Sequence, residues 1–251
     1  MERSVIERWI FLRDARLSGR TRLAIAALVL LSLVVLFPLR VALGWAAAGG
    51  AEISARAAEG TVWSGRIVDA RAGSLPIGTL DAGLRPLPLL IGRSELWLRR
   101  PASAGDPFSA RLSGGSGWLR LREVNGTLPL GDAAGGLPLT SIGFADFRLD
   151  QDGGRCSAAD GLVTLTLASI SPLMPANVAM TGKARCDKGA LYVPMTGPSG
   201  MERLFLRIEG DGRYTAELVL SGLPVEVSTP LLDMGFSARP GGIGLKASGT
   251  L

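Results

Sequence analysis

Apolar and polar residues alternate with a period of two along most of the chain, the mark of strands with one dry and one wet face. Leu119 and Leu121 oppose Arg120 and Arg122, and Val163, Leu165 and Leu167 oppose Thr164 and Thr166. Tyr214, Ala216, Leu218 and Leu220 oppose Thr215, Glu217, Val219 and Ser221. Leu191, Val193 and Met195 repeat the pattern, as do Leu204, Leu206 and Ile208. Turn formers separate these runs: Asn125-Gly126, Asp152-Gly153-Gly154, Asp187-Lys188-Gly189 and Asp211-Gly212. Such steps supply the positive φ of tight hairpins. Helical pattern is scarce. Pro224 to Phe236 is the best segment, with Ser228 or Thr229 as N-cap, Pro230 in first position and Gly235 as a stop. Short turns are expected at Pro86 to Ile91 and Ile170 to Ala176. Nothing reads as a βαβ unit. The pattern predicts a mainly β fold, a curved antiparallel sheet of successive hairpins. The Gly- and Pro-rich stretch from Pro129 to Pro138 reads as a lid or a junction.

One segment departs from this period. Leu23 to Leu39 carries no charge and has no polar stripe. Extended to Trp45 it is long enough to cross a hydrocarbon core, which predicts one transmembrane helix over residues 23–45. The leader 1–22 holds six arginines against three acids. That bias keeps 1–22 in the cytoplasm and places a β-rich domain, 46–251, on the far side. The competing reading is a cleaved signal peptide, with Ala46-Ala47-Ala48-Gly49 as its small-residue site.

Charge and composition narrow the chemistry. More than half of the formal +5 sits in the leader, so the exported part has no nucleic-acid footprint. There is no histidine, which removes Ser-His-Asp and Cys-His catalysis and the usual zinc sites. No Gly-x-Ser-x-Gly frame or phosphate loop is present. Asp146, Asp150 and Asp152 read as a solvated strand face and turn rather than a carboxylate pair or calcium site. No catalytic, cofactor or metal residue is expected. Cys156 and Cys186 both lie on the exported side, where a disulfide persists in an oxidising compartment. Closing that loop contributes roughly 3–4 kcal/mol in the chain-entropy model.

The most specific local string is Gly60-Thr61-Val62-Trp63-Ser64-Gly65. It reads as a strand with Val62 or Trp63 packed inward and Gly65 allowing a bulge or a close approach. Trp63 is either a core residue or an exposed anchor for a partner. Further strings follow: Pro76 to Leu80, Leu84 to Gly92, Gly182 to Leu191 around Cys186, Gly212-Arg213-Tyr214, and Leu231-Leu232-Asp233-Met234-Gly235-Phe236. With these, the chain from about residue 20 to 251 resembles protein N of the bacterial type II secretion system. The resemblance implies a bitopic inner-membrane protein with a periplasmic β-rich domain. It implies an accessory, non-catalytic part of a secretion machine, whose partners are other inner- or outer-membrane secretion subunits. The expected sheet also resembles the β-taco folds of AsmA-like envelope proteins, which implies the alternative: a membrane-tethered lipid-binding module with an apolar groove. A filled core favours the scaffold; an open apolar trough favours lipid.

Overall fold

A computed structural model describes residues 18–50, 52–134, 137–168, 178–233 and 235–250. The chain divides into two compact units, one ending at Phe37 and the other running from Pro38 to Leu251. In the first, helix α1 (Gly19–Val35) is capped by Ser18, whose Oγ accepts from the Thr21 amide. In the second, helix α2 (Leu39–Ala48) begins directly after Pro38. The single helix expected over 23–45 is therefore not formed. Pro38 has no N–H to donate, and its ring drives the preceding residue out of the α region. Among the described residues no helix is long and apolar enough to cross a membrane. The far end of the apolar run also has another use. Leu39, 5% exposed, packs with Ile67, Ala70, Leu80 and Ala82 in a core of the second unit.

That unit is one large sheet. Its elements are β1 (Ile53–Ser54), β2 (Ala57–Thr61), β3 (Ser64–Ala72), β4 (Leu75–Leu84), the helical turn α3 (Pro86–Leu89), β5 (Ser94–Arg100), β6 (Phe108–Gly115), β7 (Trp118–Pro129), β8 (Leu139–Asp152) and β9 (Arg155–Leu167). There follow β10 (Val178–Lys183), β11 (Arg185–Asp187), β12 (Ala190–Thr196), β13 (Glu202–Ile208), β14 (Arg213–Leu220), helix α4 (Val225–Asp233), β15 (Ser237–Arg239) and β16 (Gly242–Thr250). Every described pairing is antiparallel, and β3 to β10 lie side by side in sequence order. β12, β13, β14, β16 and β15 continue the sheet, which does not close; β1 and β2 pair with β3, and β11 with β12.

The alternating pattern sets the dry face. Val163, Leu165 and Leu167 of β9, and Leu218 and Leu220 of β14, are 2% exposed or less. Met180, Met195 and Leu204 join them, and Leu231 of α4 with Phe236 packs in the same core. The turns at Asp152-Gly153-Gly154, Asp187-Lys188-Gly189 and Asp211-Gly212 fall between strands as expected. Asn125-Gly126 does not. It lies inside β7, where Gly126 has φ 112° and Asn125 Oδ1 accepts from the Asp146 amide at 2.8 Å. The Asn side chain thus ties two strands rather than closing a hairpin. Helix α4 starts earlier than its capping pattern suggests, because the Ser228 amide already donates to the Pro224 carbonyl at 3.0 Å. Pro230 falls within the helix, and Gly235, φ 97°, follows its end. The turn expected at 170–176 lies outside the described residues.

Candidate functional site

A crease crosses the middle of the sheet. Glu123 in β7 and Asp146 in β8 have φ of 51° and 49°, a conformation uncommon for non-glycine residues in mid-strand. Each marks a register shift: between Leu121 and Val124 on β7, and between Ala145 and Arg148 on β8. The next strand carries Gly161 at φ 104°, where an added Cβ would lie 2.5 Å from Phe147 Cα. Beyond it, Ala184 interrupts the run between β10 and β11 and donates its N–H to the Gly161 carbonyl at 3.0 Å. Such bulges bend a strand and invert the parity of the residues that follow. In β8, Ile142 and Phe144 before the bulge and Phe147 and Leu149 after it all reach the same space.

That space is an apolar cavity of about 270 Å³. Cross-strand pairs form its floor: Leu121 with Leu149, Phe144 with Val163, Ile142 with Leu165, Val193 with Leu206, and Ile208 with Tyr214. The connection between β7 and β8 supplies cover through Leu130, Ala133, Ala134 and Leu137. The Tyr214 hydroxyl donates to the Ala133 carbonyl at 3.3 Å and pins this cover to β14. Pro129 to Pro138, read as a lid or a junction, is in its described part the lid. Gln151 is the one amide side chain on the lining. The same sheet face is therefore packed solid around Leu204 and Leu218 and hollow around Phe144 and Val193.

Polar chemistry lies elsewhere. Arg100, 8% exposed, donates to three carbonyls: Nε to Asp106 at 2.6 Å, Nη1 to Ile77 at 2.9 Å and Nη2 to Thr127 at 2.6 Å. It joins β4, β7 and the connection after β5 with no carboxylate. The alternating pattern gave no sign of this strap. Asp150 pairs with Arg122, whose Nη2 donates to Oδ2 at 2.9 Å, and that hydrogen bond holds the carboxyl below its ordinary range. Asp146 serves the bulge through its backbone. Among the described residues no group of three or more His, Cys, Asp or Glu side chains is placed to hold a metal.

The residues singled out in the sequence are not brought together. Cys156 and Cys186 form a disulfide with Cα atoms 5.6 Å apart, joining the start of β9 to β11. Trp63 lies in the two-residue turn between β2 and β3 and is half-buried, while Val62 beside it is 7% exposed. Gly65 is a point of close approach: a Cβ there would meet the Glu59 carbonyl at 2.5 Å and Leu39 Cδ2 at 2.7 Å. Neither Trp63 nor the disulfide lines the cavity.

Fold and site together define an open antiparallel β-meander with a lidded apolar chamber. The model of the family described as type II secretion system (T2SS), protein N, matches residues 51–245. The chain belongs to that family, one of secretion-machinery components rather than a known enzyme family. No curated protein and no solved structure matches it.

Proposed function

We propose that this chain is an accessory, non-catalytic component of the type II secretion machinery, held at the inner membrane with its sheet in the periplasm. The family match over residues 51–245, which takes in all of the sheet but the end of β16, carries the reading. Three features support its details. The arginine bias of the leader favours a cytoplasmic N-terminus. The disulfide suits an oxidising compartment. Helix α1 exposes Leu23, Leu28, Leu30, Leu31 and Leu33, each at least 60% accessible, an apolar surface suited to lipid as its anchor. Assembly contacts would use sheet edges. β15 covers β16 only at Gly242 to Gly244, so the outer side from Leu245 to Thr250 has no strand beside it among the described residues. A partner strand could add there. Trp63 is a second candidate contact.

Alkaline phosphatase fused after Gly105 should be active, and export of a type II substrate should fail when α1 is replaced by a cleavable signal. Full secretion from the released sheet would count against an anchored component. Photocrosslinkers at Lys246 and Ser248 should capture a secretion subunit.

The cavity favours a second reading, a module that holds an acyl chain. Its lining is nearly all apolar, and its volume of about 270 Å³ exceeds the roughly 150 Å³ that accepts a benzene in an engineered protein cavity. Parinaric acid should bind the intact protein with enhanced fluorescence, and Val193→Trp should block it. No binding to the folded protein would leave the scaffold reading alone.

A further inference from the structure

The connection between β4 and β5 reads Arg85-Pro86-Leu87-Pro88-Leu89-Leu90-Ile91-Gly92-Arg93. Among the described residues it carries the sheet unit's most concentrated apolar exposure: Leu87 is 76% accessible, Leu90 84%, Ile91 70% and Leu89 37%. Single exposed leucines are ordinary, but three leucines and an isoleucine within five residues of one connection leave an apolar surface in water. We propose that this turn is a membrane-inserting tip, which seats this end of the sheet on an anionic bilayer surface.

Three observations select lipid as the occupant. First, four successive amides of the tip already have acceptors within it. Leu90 donates to the Leu87 carbonyl at 3.2 Å, Ile91 and Arg93 donate to Pro88 at 3.2 and 3.0 Å, and Gly92 donates to Leu89 at 3.1 Å. Pro86 and Pro88 carry no amide hydrogen. A tip entering hydrocarbon must leave few donors open, because lipid offers no acceptor. Second, charge complementarity points to phosphate. Arg85 and Arg93 bracket the apolar run, and Arg120 on the adjoining β6–β7 hairpin stands over the Trp118 ring, 4.9 Å from its centroid. Of the acids at this end, Glu95 is held by Arg85 at 2.9 Å, Asp150, opposite Arg120 in register, is held by Arg122, and Asp152 faces Trp118 across the strand pair, so Arg93 and Arg120 carry the positive charge. Third, Leu87, Ile91, Arg93, Trp118 and Arg120 border one cleft, whose carboxylate, Glu95, is the one Arg85 holds. Apolar tip, indole and guanidinium, the groups an acyl-to-headgroup boundary prefers, thus share one cleft. The inference stands independently of the α1 anchor and of the acyl-chain reading of the cavity.

The test uses the full chain in vesicles, with Leu90→Cys labelled by nitrobenzoxadiazole; the native cysteines are joined and do not react. Ser74→Cys, in the exposed turn at the opposite end of β4, is the control. In vesicles of phosphatidylcholine with phosphatidylglycerol the Leu90 probe should shift to shorter wavelength and lose most of its emission to doxyl-labelled lipid. The Ser74 probe should do neither. Phosphatidylcholine alone, or Arg93→Glu with Arg120→Glu, should weaken the quenching. Leu87→Cys should repeat the Leu90 result. A Leu90 probe that stays water-exposed in both vesicle types overturns the proposal. So does one that is shielded only when secretion subunits are added, which would make the tip a protein contact.

Discussion

The Tyr214 hydroxyl reaches the Ala133 carbonyl at 3.3 Å across 81 residues of sequence. It is a hydrogen bond in a buried setting between the lid and a strand far along the sheet. Tyr214→Phe keeps the ring and removes the tie, so it should cost about 1 kcal/mol in urea unfolding. Amide exchange at Ala133 and Ala134 should quicken while β14 stays protected. Unchanged exchange there would mean that packing alone holds the lid.

Gly161→Ala tests the crease. A Cβ at φ 104°, 2.5 Å from Phe147 Cα, forces the backbone of β8 and β9 apart. The expected loss is about 2–3 kcal/mol, with cavity affinity for an apolar probe altered as well. Gly153→Ala, with nothing within 4 Å, should cost only the roughly 1 kcal/mol of a left-handed alanine.

Arg100 should be intolerant of lysine. An ammonium group cannot fork to the carbonyls of Ile77, Asp106 and Thr127 together. Arg100→Lys should lower stability by about 2 kcal/mol through carbonyls left without a donor, and Arg100→Met by more. Denaturant midpoints measure both.

Stability should fall in acid. Asp150 is held below its ordinary range by the hydrogen bond from Arg122, Asp160 by the Gly161 amide and then Lys183, and Asp211 by the Arg213 amide. A carboxyl with a depressed folded pKa contributes fully above its unfolded value, near 3.9, and loses that contribution as pH falls through the folded value. The urea midpoint should therefore hold from neutrality to about pH 4 and drop below it. Asp150→Asn should lower the neutral plateau and shallow the drop.

Opening the disulfide should cost roughly 3–4 kcal/mol by the chain-entropy estimate. Cys156→Ser with Cys186→Ser, compared with the parent with and without reductant, isolates that loss. A double mutant as stable as the oxidised parent would show that the bridge adds nothing.

Strand identity was legible wherever parity held, as at Val163-Leu165-Leu167 and Tyr214 to Leu220, since period two follows directly from the pleat. Parity was illegible at Glu123 and Asp146, because Glu does not signal positive φ and a lone Asp in an alternating run signals it too weakly to mark a bulge. The bulges they mark decide which side chains enter the cavity, so the cavity was illegible too. The apolar run from Leu23 to Trp45 is long enough to mask the stop signal at Pro38. That signal was in plain view, but Leu39's packing partners lie dozens of residues away. Arg100 depends on three carbonyls from separate segments, which no local pattern encodes.

The strand order bears on how such a chain comes into being. From β3 to β10 every strand finds its partner in the stretch just before it. Loop closures stay short, so the entropy of bringing partners together is small at each step. A polypeptide emerging from a narrow pore N-terminus first can zip up hairpin by hairpin without waiting for its tail. Two strands depart from this order: β12 passes β11 to lie against β10, and β16 must reach past α4 and β15 to lie against β14. The outer side of β14 is thereby left open until β16 has arrived.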